Sequence, residues 1–141
     1  MILTTTVLPP TIQAEIYNII EANFPQVADS ICVGQRRPTD ADEKVLLFLL
    51  MKPGQLFTPE LVQEVKTAIQ KGLSQRHVPR YVFETPEIPT TVNLKKVELP
   101  VKQIVSGKVI RPSGTLLNPG CLDFYYQFAK VEELVGPKSK L

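Results

Sequence analysis

Thirteen prolines are spread through these 141 residues, and they limit the fold more than any other feature. Proline lacks a backbone donor and clashes with the preceding helical turn, so helices carry it only near their start and central strands do not carry it. The chain is therefore cut into short elements, and each must bury one face against another. With 141 residues there is room for one domain with a real core.

The intervals between prolines carry clear patterns. After Pro9-Pro10, Thr11 is placed to cap a helix on which Ile12, Ile16, Ile19 and Ile20 recur at helical spacing. Asp29 to Gln35 reads as a short strand ending in a glycine turn, and Arg36 to Lys44 as a polar loop. The unbroken apolar run "VLLFLLM", Val45 to Met51, predicts a strand covered on both faces. Thr58 at the N-cap, Pro59 at the first helical position and Glu60 near the positive end of the dipole mark the start of a second helix. Its stripe is Leu61, Val62, Val65, Ala68, Ile69 and Leu73, with Gly72 near its end. Arg80 to Glu84 is a further strand. Lys96 to about Val105 is a third helix, with Pro100 tolerated in its first turn, and a last helix runs from Pro119, capped by Asn118, towards Leu134. This order predicts an α+β fold, a small three-layer-like domain with a short mixed sheet packed by helices.

Composition excludes several classes. Hydrophobic residues at 43% and charged residues at 21% are globular rather than disordered proportions. A net charge of +2, without a basic run or interleaved aromatics, gives no support for nucleic-acid binding. Cys32 and Cys121 are far apart and have no neighbouring ligands, so neither a disulfide framework nor a metal site is expected, which suits a reducing compartment. No apolar run is long enough to span a bilayer, and "MILTTTVLPP" lacks the features of a secretory signal.

Five stretches, in this order, carry a resemblance: "AEIYNIIE" (Ala14 to Glu21), "VADSICVGQ" (Val27 to Gln35), "EKVLLFLLMKPG" (Glu43 to Gly54), "LSQRHVPRYVFETPEIP" (Leu73 to Pro89) and "TVNLKKVELPVKQIVSG" (Thr91 to Gly107). Together they resemble the small C-terminal domain of the acyl-adenylate-forming (AMP-binding) acid–CoA ligases. The resemblance implies that residues 14–110 form that domain and that 1–13 replace the family's hinge loop. Residues 111–141, with "SGTLLNPGCLDFYY", resemble an extension of the acetoacetate-specific branch.

It further implies a two-step ligase using ATP, Mg2+ and coenzyme A in the complete enzyme, with none of these held tightly by this chain alone. The implied partner is a large N-terminal domain, over which the small domain swings. The family's lysine on the loop before the last core helix corresponds to Lys95, because its "T-x-N-G-K-K" matches Thr91 to Lys96 residue by residue. A flexible ammonium there would meet the negative charge that gathers on the carboxylate and phosphoryl oxygens during adenylation. Lys96 is expected to be a solvated helix-start residue.

The match has departures. Leu94 stands where the family has glycine, and Gln70 where it has a basic residue facing the phosphates of coenzyme A; Lys71 or Arg76 are the substitutes expected for that role. These changes leave open a second reading, a non-catalytic binding or regulatory module that kept the fold. His77 has no ligand or nucleophile nearby in sequence and reads as a packing or helix-end residue. Arg36 and Arg37 read as solvated, and Phe124, Tyr125, Tyr126 and Phe128 as packing of the tail onto the domain. Ser139-Lys140-Leu141 is the tripeptide read by the peroxisomal import receptor, which makes that receptor an expected partner and the peroxisome the expected location, with the cytoplasm otherwise.

Overall fold

The apolar run at the middle of the chain becomes the middle of the sheet. The computed structural model describes residues 10–38, 40, 43–73, 78–93, 95–111 and 114–131. Its elements are α1 (Pro10–Asn23), β1 (Val27–Gln35), β2 (Lys44–Met51), α2 (Pro59–Gly72), β3 (Tyr81–Glu84), α3 (Glu98–Val105) and a 3-10 helix, Pro119–Lys130. The sheet order is β1-β2-β3; β1 pairs antiparallel with β2, and β3 parallel with it. The fold is therefore α+β with a mixed sheet.

Both faces of β2 are covered, as its unbroken apolar run predicts. Leu47 and Leu49 join Cys32 of β1 in a core with Ile16 and Ile20 of α1 and Leu61, Val65 and Ile69 of α2. Leu46 and Phe48 point the other way, with Ile31 and Val33, into a core closed by Val101, Ile104 and Val105 of α3 and by Leu122, Tyr125 and Phe128 of the 3-10 helix. Alternation along the strand thus feeds two helical layers.

Local chemistry explains the helix starts. Thr58 accepts a hydrogen bond from the Leu61 amide at 3.1 Å, with Pro59 in the first turn. Thr58→Ala is expected to cost about 1 kcal/mol, read as a lower urea midpoint with an unchanged denaturant slope. Gly72 completes α2 within the helix, where an added Cβ would lie 2.8 Å from Ile19 Cδ1, so it permits close approach of α1.

Four expectations are corrected. The first helix begins at Pro10, ahead of Thr11. Gly34 is not in a turn: it lies inside β1, opposite Val45, and a Cβ there would collide with the Glu43 carboxyl group, which Lys102 of α3 also holds. α3 begins at Glu98 rather than Lys96, because Lys96 forms an extended bridge with Thr90; Pro100 keeps its place in the first turn. The last helix has a 3-10 pitch: its buried residues Leu122, Tyr125 and Phe128 recur every third position, the repeat at which 3-10 side chains eclipse. Leu134, His77, Arg76, Leu94 and the terminal Ser139-Lys140-Leu141 lie outside the described residues.

Candidate functional site: the Lys95 hairpin

The segment between β3 and α3 folds into a small hairpin. Thr90 and Lys96 form an antiparallel bridge, the Thr91 amide donates to the Lys95 carbonyl at 2.9 Å, and the Val97 amide donates to the Pro89 carbonyl at 3.0 Å. Lys95 therefore sits at the tip, exposed, and among the described residues no carboxylate pairs with its ammonium. Asn93 and Val92 beside it are exposed as well, Val92 at 65%.

The next residue behaves in the opposite way. Lys96 turns inward: its Nζ is 2.9 Å from Asp29 Oδ1, donates to the Ser30 carbonyl and lies 3.6 Å from the centre of the Tyr17 ring. Its side chain is only 22% exposed, so the expectation of a solvated residue is overturned. Tyr17 extends the anchor by donating to Glu98 Oε2 at 2.8 Å and accepting from the Cys32 amide at 2.9 Å. Burial pushes the Tyr17 hydroxyl far above its ordinary pKa, so it stays a neutral donor. One lysine of the pair fastens the returning strand of the hairpin to α1 and β1, and the other is exposed at its turn, without a carboxylate partner among the described residues.

The incoming strand is held from elsewhere. Residues 115–117 add a third extended segment: Thr91 bridges Leu116, the Val92 amide donates to the Thr115 carbonyl at 3.3 Å, and the Leu117 amide to the Thr90 carbonyl at 2.8 Å. Asn118 stands at the N-cap of the 3-10 helix but makes no side-chain cap there. Its side chain goes to the hairpin base instead, accepting from the Thr90 amide at 3.0 Å and donating to the Ile88 carbonyl at 2.9 Å and to Glu87 Oε2 at 2.7 Å. The expected cap is thus replaced by a cross-chain tie. Neither this tie nor the inward turn of Lys96 has a signature in the local sequence.

The other expected site residues are not brought to Lys95. Lys71 is exposed in the last turn of α2, lining an open groove with Ile19, Asn23, Phe24 and Gln63, and shares no hydrogen bond or ion pair with Lys95. Gln70 is exposed on the same helix. Arg37 is not solvated: it binds Asp40 through two nitrogens, both at 2.9 Å, and donates to the Ala129 carbonyl at 2.9 Å. That guanidinium holds the Asp40 carboxyl below its usual range. Arg36 is exposed, as expected. Phe124, Tyr125, Tyr126 and Phe128 pack against the core rather than forming a stacking platform. Burial pushes the Cys121 thiol up to about 11, which keeps it protonated at neutral pH. Among the described residues no three His, Cys, Asp or Glu side chains converge as metal ligands.

A lysine free at the tip of a pinned hairpin can insert a point charge into a site on another body, and the chain that carries it has relatives. No family model matches the chain. Acetoacetyl-CoA synthetase of Rattus norvegicus is 47% identical over 120 residues, covering 85% of this chain and 18% of that protein. Malonamoyl-CoA synthetase of Penicillium aethiopicum is 43% identical over 119 residues, covering 82% of this chain and 16% of its own. Among solved structures, the acetoacetyl-CoA synthetase from Streptomyces lividans superposes with a TM-score of 0.72 at 31% identity, over 85% of this chain and 18% of that one. The chain therefore spans less than a fifth of the length of these relatives.

Proposed function

Since the chain belongs to the acyl-adenylate-forming acid–CoA ligases, as a counterpart of their small C-terminal domain with acetoacetyl-CoA synthetases among its relatives, we propose that it serves as the mobile part of an acetoacetate–CoA ligase and supplies Lys95 to the adenylation site. The observation that carries this reading is the contrast within one dipeptide: Lys96 is bound on three sides while Lys95 is exposed.

In the reaction, the acid's carboxylate oxygen bonds to the α-phosphorus of ATP and pyrophosphate leaves. The thiol sulfur of coenzyme A then bonds to the acyl carbon and AMP leaves. On this reading ATP, Mg2+ and the acid are held by the large domain, and this chain adds the cation. Lys95 would offset negative charge on the carboxylate and phosphoryl oxygens as they are drawn together, once docking has excluded water. Val92, Leu99 and Leu117 are large apolar side chains exposed at 65%, 60% and 56%; Val92 lies in the hairpin, Leu117 in the segment bridged to it, and Leu99 in the first turn of α3. Lys71 would meet a phosphate of coenzyme A in the second step.

One observation favours a second reading, a binding or regulatory module without catalysis: an uncharged Gln70 occupies the exposed position where the family places a base. The two readings separate in one experiment. The large domain of a related acetoacetate–CoA ligase, deprived of its own small domain, is assayed for acetoacetate-dependent ATP–pyrophosphate exchange with and without this chain. A gain supports the ligase part; measurable docking without a gain supports the module.

A further inference from the structure

We propose that the segment Thr115–Asn118 is a positioning strap for Lys95, holding the incoming strand of the hairpin so that the ammonium is presented in one place. The inference rests on the assignment of Lys95 above, and it concerns residues that the resemblance places in the C-terminal extension, outside the small domain proper.

The two strands of the hairpin have separate supports. The returning strand is fixed by Lys96 through Asp29, Ser30 and Tyr17. The incoming strand buries Ile88 in the core beneath the sheet, but among the described residues no side-chain hydrogen bond or ion pair ties it there; its backbone is tied to the extension instead. Tyr125 donates to the Glu87 carbonyl at 2.7 Å and lies 2.9 Å from the Thr85 hydroxyl. Asn118 binds Glu87, Ile88 and Thr90, Leu117 binds Thr90, and Thr115 binds Val92. A two-stranded hairpin alone is marginal in water, and a third strand with a buried anchor is what stabilises it. Leu116 and Tyr125 supply that anchor, exposed at only 7% and 0%. Asn118 forgoes the capping of its own helix to do this, although an N-cap asparagine is among the best cappers. That exchange marks Asn118 as a positioning residue.

The test uses the 141-residue chain. Asn118→Ala is expected to speed amide exchange about tenfold at Thr91 and Val97, whose bonds lie within the hairpin and do not involve Asn118, while the β2 amides stay protected. In the two-part assay, adenylate formation falls by about tenfold, and thioester formation from preformed acyl-adenylate does not change. Leu117→Pro, which removes the amide donated to Thr90, gives the same pair of results without touching the Asn118 side chain. It decides the matter if Asn118→Ala loses the β2 protection as well. Unchanged exchange at Thr91 and Val97 overturns the strap. So does faster exchange with undiminished adenylation in a system where Lys95→Ala is inactive. If Lys95→Ala has no effect, the assignment of Lys95 has failed, and the exchange result then decides the strap by itself.

Discussion

Lys95→Ala is expected to remove the gain in adenylate formation that this chain gives to a large domain, by about 10²–10³-fold, while docking affinity and the stability of the chain stay unchanged. The size follows from losing one charge aimed at developing negative charge in a site from which water is excluded. The lack of effect on folding follows from the exposed position of Lys95, which has no carboxylate partner among the described residues to leave behind. Lys95→Arg retains the charge but exchanges a compact ammonium for a planar fork, so partial activity is expected. Pyrophosphate exchange measures the first step, and direct binding of the two parts measures docking. Equal activity in wild type and Lys95→Ala would show that charge at the hairpin tip has no part in adenylation, and the module reading would then lead.

Phe48→Ala is expected to cost about 3–5 kcal/mol, the largest stability loss of any single side chain considered. Phe48 is fully buried on the central strand. Its ring meets Tyr125 edge-on at 5.1 Å, Phe128 edge-on at 4.9 Å, and Phe83 at 5.8 Å. Truncation therefore removes three aromatic contacts as well as buried area, and neighbours on a rigid sheet cannot collapse into the gap. Set against a total of about 5–15 kcal/mol for a domain of this size, the loss leaves little. Urea denaturation gives the magnitude, and near-ultraviolet circular dichroism of the tyrosines reports whether the 3-10 helix has detached. A loss below about 1 kcal/mol would mean that the 3-10 helix does not seal this face of the sheet.

The effects reach one another through the same helix. Tyr125 packs on Phe48 and also donates to Glu87 at the base of the hairpin. Loosening the core at Phe48 should therefore weaken the strap, whereas removing Lys95 should leave both intact.

Much of the architecture is legible in the amino-acid sequence because its causes are local. The cap at Thr58 and the stripe of α2 need only residues within a few turns of one another. The unbroken apolar run of β2 reports burial on both faces whatever the neighbours are. The apolar spacing of Leu122, Tyr125 and Phe128 declares a helix there too, but its 3-10 pitch is shown only by the structure. Lys95 is picked out as a candidate by its place in a motif, which is a local feature of residue type and spacing. What the residues alone do not declare is which lysine of the pair is free. That is decided by Asp29, Ser30 and Tyr17, more than sixty positions away in the chain. Nor can Asn118 be told from an ordinary cap, because local chemistry satisfies an asparagine at either task; the tertiary structure sends it to Thr90, 28 residues earlier. Periodicity and capping are written in neighbouring residues, while a side chain's choice between solvent, its own helix and a distant loop is made only when packing brings the partners within hydrogen-bond reach.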